Sequence, residues 1–542
     1  MDALSLIDTC VPSTFATPPA VFGTEILSIE ATPIANFTRN IQNAFRFTQP
    51  SIEAENVAFC NVTVTYTHPG ADDRINVEIW LPLDGWNERF YAAGGGGFAA
   101  GRFFLSYATM AGALAEGYAT STTDAGLGLD ADPEDMSSWA LLSPGEVDVQ
   151  KLQNLASTSL NDQALISKEV IKTFYDRAPL YSYWNGCSQG GRQGLMLAQR
   201  YPTAYDGIAA GAPALEMPKL AASIFWPQQM MNIMGEYPYS CELDAITQAA
   251  ISTCDKLDGV VDGLIADVES CLATFDPFQL VGTTIYCPQT DKEMQISSTA
   301  ASVVNATWQG PVSASGKQIW YGFNPGSDLT GATSYQPGIA KTNCSSDGKC
   351  VSQPNVLGAQ WLKLFVAKNP NFEIGNLTHE RFDALINFGH QQFESFISTY
   401  DPDLSEFRAA GGKMLTFHGL DDNVIPAKST AAYYKAVTSL DPDAQSFYRY
   451  FEVPGLAHCF GGSGGQPTAM FEQLRNWVEN GTAPTSSPIN FRDSKGKSWS
   501  RILCPFPQKA YFEEDCGDAT VSRCWSCKDH SASRTNFFGD EL

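Results

Sequence analysis

The stretch Tyr183-Trp184-Asn185-Gly186-Cys187-Ser188-Gln189-Gly190-Gly191-Arg192 decides the fold. Ahead of it, Leu180 to Trp184 is short, aromatic and apolar, as a buried strand is. Behind it, Gln193 to Arg200 has helix formers with apolar residues at helical spacing. Gly186 to Gly190 therefore sets G-x-S-x-G on a strand-to-helix turn, the context in which the pattern is a nucleophile elbow. So tight a turn needs small flanking residues, hence the glycines. It lifts the serine oxygen clear of the sheet and holds it at a helix N-terminus. Free amide N–H groups and the helix dipole favour negative charge there.

Outward from the elbow, strands and helices alternate. Asn61 to Pro82 reads as two alternating strands joined by a turn around Pro69 to Asp72. The strand Glu88 to Ala93 runs straight into Gly94-Gly95-Gly96-Gly97. A helix over Ala108 to Glu116, a strand over Gly117 to Thr123 and a helix over Asp162 to Tyr175 follow. Tyr205 to Pro213 is one more strand with its exit turn. This rhythm implies a mostly parallel sheet covered on both faces. It stops between Leu215 and Leu404, where Pro, Gly, Asn and Thr abound and periodic segments look short. It resumes with the strand Lys413 to Gly419, a helix from Ala427 to Leu440, the strand Phe447 to Val453 and a helix from Ala469 to Glu479. The expected fold is thus an α/β-hydrolase. Residues 1–214 and 405–542 form its catalytic domain, and 215–404 a disulfide-rich lid over the sheet edge where open α/β sheets bind ligands.

A serine needs a base, and the base an orienting third group, in the chain order Ser, Asp or Glu, His. The strand over 413–419 ends in Leu420-Asp421-Asp422-Asn423. Asp422 fits the spacing H-G-x-x-D and is the expected acid, with Asp421 the alternative. His458 follows the last sheet strand and is the expected base. Of the other five histidines, His418 reads as a structural hydrogen bonder, and His68, His379, His390 and His530 have no comparable context. The amide of Gln189 and one from the glycine run, assigned to Gly96, are the expected oxyanion donors. Cys187 directly precedes the serine and Cys459 directly follows the histidine. If serine and histidine are in hydrogen-bond reach, these cysteines fall within the roughly 4.4–6.8 Å Cα separation of a disulfide.

Composition sets limits. At 542 residues the chain exceeds what one core usually supports. A formal net charge of −25 argues against nucleic acid or anionic membrane as partner. No stretch approaches the roughly 18 apolar residues that span a bilayer. Fourteen cysteines, with N-x-S/T sites at Asn36, Asn61, Asn305, Asn343, Asn376 and Asn480, point to a glycosylated, secreted, extracellular protein. The first residues, MDALSLIDTC, lack a basic n-region and a long apolar run, which reads as a signal peptide already removed.

The combination G-C-S-x-G-G, an acid at H-G-x-x-D and P-G-x-x-H-C resembles the tannase and feruloyl esterase family. The likeness runs from Cys60-Asn61-Val62-Thr63 through the glycine run and elbow to the His-Cys loop. It includes Cys254-Asp255-Lys256-Leu257-Asp258-Gly259-Val260-Val261-Asp262-Gly263-Leu264-Ile265, similar to that family's calcium loop. Asp255, Asp258 and Asp262 offer three carboxylates, and two glycines permit the bends. The resemblance adds the carbonyls of Val260 and Leu264 and makes the Ca2+ structural. Cys254 and Cys271 bracket the loop and are expected to pair. Cys10–Cys60, Cys241–Cys287, Cys344–Cys350 and Cys504–Cys516 are further expected pairs, which leaves Cys524 with Cys527.

The resemblance implies a serine esterase that splits esters of phenolic acids. The small-molecule substrates include esters attached to plant cell-wall polysaccharide. Hydroxycinnamoyl (feruloyl) esters are preferred here over the galloyl esters of a tannase, and Phe225 and Trp226 are read either as a ring-stacking surface or as anchors of the insertion's own core. Two other readings stand beside it. One is a peptidase or terephthalate-type hydrolase with the same triad; the other is a binding module on this fold, against which the complete triad speaks.

Overall fold

The computed structural model describes residues 3–128, 132–345 and 348–529, and a nine-stranded sheet lies at its centre. The strands are β1 (Glu25–Ile41), β2 (Ile52–Thr67), β3 (Ile75–Pro82), β4 (Arg89–Ala93), β5 (Ala119–Thr123), β6 (Tyr181–Cys187), β7 (Gly207–Gly211), β8 (Lys413–Gly419) and β9 (Tyr448–Val453). They lie in the order β1-β2-β3-β5-β4-β6-β7-β8-β9. The strands β1, β2, β3 and β5 pair antiparallel in turn. From β5 through β4 to β9 every pairing is parallel. The sheet is mixed. The parallel strands are covered on both faces, so β6 is buried from Ser182 to Cys187 and reads as a continuous apolar run.

The helices α1 (Phe104–Ala115), α2 (Ser159–Tyr175) and α3 (Gln189–Arg200) follow β4, precede β6 and follow β6. Residues 215–404 then leave the sheet between β7 and β8. They carry α4 (Met217–Met234), α5 (Ser240–Cys254), α6 (Ser298–Gln309) and α7 (His379–Ile397), with two short hairpins. All four helices, of 12 to 19 residues, are longer than the expected short segments. α4 is buried almost all round and holds Pro227, so neither an amphipathic stripe nor a clean propensity marks it. The return supplies α8 (Ala427–Leu440) and α9 (Met470–Asn480). Two final hairpins, β10 (Ser487–Arg492) with β11 (Ser498–Leu503) and β12 (Gln508–Phe512) with β13 (Trp525–Asp529), close the chain.

β1 departs from the sequence reading, which placed nothing there. It is an edge strand of 17 residues, half-exposed along its length and interrupted by register shifts. Thr, Asn and Glu on both faces erase the alternation that would mark it. Asn61 sits inside β2, where its Nδ2 donates to Glu78 Oε1 at 3.2 Å. His530 lies outside the described residues. No helix among them is long and apolar enough to cross a membrane.

Seven disulfides join all 14 cysteines. Five are the expected pairs: Cys10–Cys60, Cys187–Cys459, Cys241–Cys287, Cys254–Cys271 and Cys344–Cys350. The C-terminal four differ. The pairs are Cys504–Cys527 and Cys516–Cys524, not Cys504–Cys516 with Cys524–Cys527. The β12–β13 hairpin folds back and brings Cys527 to Cys504, a contact that sequence proximity does not encode. Non-reducing peptide mapping is expected to return a peptide holding Cys504 with Cys527; a Cys504–Cys516 peptide would contradict this arrangement.

Candidate active site

Ser188 sits between β6 and α3 with φ 64° and ψ −120°, a left-handed conformation that only the elbow enforces. The turn closes because Gly186 has no side chain: a Cβ there would lie 2.7 Å from the Gly190 backbone. The Ser188 amide donates to Gly211 O at 3.0 Å, which fixes the elbow on β7. The amide of Gln189 opens α3 and has no intrahelical acceptor, so it is free for an oxyanion.

Behind the elbow, Arg192 is fully buried. Its guanidinium donates to Gln189 Oε1 at 2.7 Å, Ala156 O at 2.8 Å, Leu155 O at 3.0 Å and Thr399 Oγ1 at 3.2 Å. Leu155 and Ala156 belong to a π-helical turn over Asn154–Thr158 that joins α2, where the widened winding exposes carbonyls. Burial without a carboxylate partner pushes the arginine down to about 9. A buried cation in the first turn of α3 thus adds to the positive end of the helix. Sequence reasoning passed over it, although it stands in the quoted stretch.

Asp422 lies in the turn after β8 and is 1% exposed. Its Oδ2 accepts from His458 Nδ1 at 2.7 Å and from His418 Nε2 at 3.1 Å. Its Oδ1 accepts from the amides of Val424 at 2.8 Å and Ile425 at 2.7 Å. Burial alone would raise this carboxyl, but the charge of His458 and the bonds from both imidazoles hold it well below the usual carboxylate range. His418 Nε2 also meets Ile425 O at 3.1 Å; with a carboxylate and a carbonyl as its partners it is the donor, and Nδ1 meets the Thr430 hydroxyl at 2.8 Å. With Nδ1 of His458 bound to Asp422, Nε2 is left for the serine. Asp421, the alternative acid, does not reach the histidine. Its Oδ1 is buried without a partner and packs against Gly326 of the insertion, and burial pushes its carboxyl up to about 7.

His458 is held from two directions. Its loop closes onto the acid turn, with the Asp421 amide donating to Leu456 O at 3.1 Å. Gly419 permits this approach, since a Cβ there would lie 2.1 Å from Leu456 O. Next to it the Cys187–Cys459 bridge, Cα–Cα 6.0 Å, joins the residue before Ser188 to the residue after His458. The insertion clamps the acid turn as well: Asn324 Nδ2 donates to Leu420 O at 2.8 Å and Ser327 Oγ to Asp422 O at 3.0 Å.

Gly96 is corrected as an oxyanion donor. Its amide donates to Ala99 O at 3.1 Å, a turn bond that spends the N–H. Gly94 and Gly95 are likewise bonded, to Asn185 O at 3.1 Å and Gln193 Oε1 at 2.8 Å. Gly97 is the member of the run that lines the pocket with Ser188 and Gln189. The rest of that wall is apolar: Phe98, Met217, Leu220, Ile224, Trp361, Val424 and Ile425 among others. Phe225 and Trp226 are not in it. They are 1% and 2% exposed and pack on Phe382 at 6.2 and 5.8 Å, in the insertion's own core.

A family model described as tannase and feruloyl esterase matches residues 60–527. The chain belongs to the tannase and feruloyl esterase family. It is 36% identical over 498 residues to a probable feruloyl esterase of Arthroderma benhamiae, covering 90% of this chain and 89% of that protein. It is 28% identical over 502 residues to a tannase of Aspergillus oryzae, with 83% of each covered. The structure superposes on tannin acyl hydrolase from Aspergillus niger with a TM-score of 0.83 at 26% identity, over 97% of this chain and 94% of that one. As a member of this family the chain is a carboxylic ester hydrolase.

The loop similar to the family's calcium loop is bracketed by Cys254–Cys271. Asp255 Oδ1 accepts from the amides of Asp262 at 2.9 Å and Gly263 at 3.0 Å, and this curls the loop on itself. Arg501 of β11 donates to Asp262 Oδ2 at 2.6 Å and Asp258 Oδ2 at 3.0 Å. Three carboxylates against one guanidinium leave the loop short of positive charge. The donor set is all hard oxygen, which fits calcium.

Asp422→Asn is expected to lower kcat by about 10⁴-fold, because the histidine then takes the wrong tautomer. Asp421→Asn should stay within about tenfold of wild type; equal losses in both would undo the assignment of the acid. A folded pKa above the ordinary carboxylate value means that the stability from Asp421 is full at low pH. It is lost as pH rises from about 4 to about 7. The Tm of Asp421→Asn should therefore fall less than that of wild type over this window.

Proposed function

We propose that this chain is a secreted serine esterase of the α/β-hydrolase type that hydrolyses esters of phenolic acids. The observation that carries the mechanism is the Asp422–His458 bond at 2.7 Å beside a disulfide that brings His458 to the Ser188 elbow. Ser188 Oγ attacks the ester carbonyl while His458 Nε2 takes its proton. Asp422 holds the Nδ1–H and stabilises the imidazolium. The amides of Gln189 and Gly97 receive the oxyanion, in a field that Arg192 makes more positive. Collapse breaks the bond to the leaving alcohol, which takes the proton back from His458. Water, deprotonated by the same nitrogen, then cleaves the acyl-enzyme and returns Ser188.

The pocket wall supports a hydroxycinnamoyl rather than a galloyl acid side. Phe98, Leu220, Ile224 and Trp361 offer an apolar slot with aromatic surface, and no charged side chain is in the wall. A galloyl ring carries three hydroxyls that would lose water there without partners, whereas a cinnamoyl group places a two-carbon apolar spacer in the slot. The ratio of kcat/KM for methyl ferulate over methyl gallate is expected to exceed one. A ratio well below one would reverse the preference, and no turnover of either would end the phenolic-ester reading.

We further propose that calcium is held by Asp255, Asp258 and Asp262 with the carbonyls of Val260 and Leu264, and that Arg501 supplies the remaining charge. The ion would supply positive charge to a loop far along the chain from the triad, and takes no part in the reaction. Treatment with EGTA is expected to lower Tm by several degrees, restored by added Ca2+. An unchanged Tm would exclude a structural ion.

A further inference from the structure

A second cluster of metal-ligating side chains lies at the root of the insertion. Glu216 caps the start of α4 in a left-handed conformation, φ 53°, and is 2% exposed. His390 and Glu394 stand one turn apart on α7 and face the same side. One ligand atom from each of the three lies within 4.8 Å of the other two.

Two features distinguish this cluster from a solvated acidic patch. Glu216 Oε2 and His390 Nδ1 are both buried and neither has a hydrogen-bond partner. A carboxylate oxygen so deeply buried is costly to leave without a hydrogen bond. His390 Nδ1 also lies 3.4 Å from Glu216 Oε1, and its Nε2 lies 3.4 Å from Glu394 Oε2. That is too long for a well-formed N–H···O bond. For Glu216 Oε1 and His390 Nδ1 it is the spacing of two ligands on one tetrahedral ion with bonds of about 2.0–2.2 Å; the opposite ring nitrogen, which meets Glu394, cannot bind that same ion, and Glu394 joins the set through the 4.8 Å that one ligand atom of each residue spans. Lys219 Nζ also approaches Glu216 Oε1, at 3.4 Å, and stacks over the Trp320 ring at 5.4 Å. It is a half-exposed partial counter-charge that can swing to solvent when a cation arrives.

We propose that Glu216, His390 and Glu394 form a site for a borderline divalent transition cation, for which Zn2+ is the probe. One imidazole nitrogen and two carboxylate oxygens suit such an ion and leave a position for water; calcium takes oxygens and would not use the histidine. The ion would tie the capping residue of the insertion's entry helix to His390 of α7, 174 residues later in the chain. Since Met217, which follows Glu216, lines the pocket beside Ser188, the site anchors one pocket wall without touching substrate.

The experiment is calorimetric titration of the calcium-replete enzyme with ZnCl2, alongside Tm measurement. One Zn2+ per chain and a raised Tm are expected for wild type. His390→Ala and, on the exposed helix face, Glu394→Gln are each expected to weaken binding by about 10–100-fold or more. Glu394→Gln keeps the test valid should the buried histidine variant fail to fold. No Zn2+ binding by wild type, or binding of unchanged affinity in Glu394→Gln and His390→Ala, would overturn the site.

Discussion

The charge on Asp422 is the constraint on which the rest depends. An ionised carboxylate sealed from water is tolerable only when its lone pairs are filled. Here two come from the backbone of its own turn and two from imidazoles on β8 and on the loop after β9. Filling them correctly requires β8 and β9 in register, the acid turn tight enough to present Val424 and Ile425, and Leu456 pressed against Gly419. The insertion then seals the turn from above through Asn324 and Ser327. The sheet end, the loops and the insertion thus depend on one another around this carboxylate.

What was legible in the sequence follows from locality. The elbow, the acid turn and the His-Cys loop each announce themselves through a short run of residues whose geometry is set by neighbours in the chain. The six strands from β4 to β9 read correctly for the same reason, as short buried runs bounded by turn residues or helices. Asp422 could be preferred to Asp421 by spacing, but only the structure gives the reason, namely which of two adjacent carboxyls the two histidines address.

What was not legible is long-range. Gly96 and Gly97 are equivalent as letters, and a turn bond to Ala99 decides which amide is free. The C-terminal cysteines pair by hairpin register rather than by proximity in sequence. Arg192 was missed because nothing local marks a cation as buried; its role emerges only when a π-turn far upstream turns two carbonyls toward it. Phe225 and Trp226 fitted a binding surface and a core equally well as sequence, and only the packing of α4 against Phe382 decides for the core.

The bridge between Cys187 and Cys459 spans 272 residues. A chain made from its N-terminus presents the nucleophile early, while the base and its cysteine emerge only after the whole insertion. Until then Cys187 has no partner and Ser188 no base. Ester cleavage is therefore deferred to the end of synthesis. The order of the residues along the chain serves as a safeguard in time.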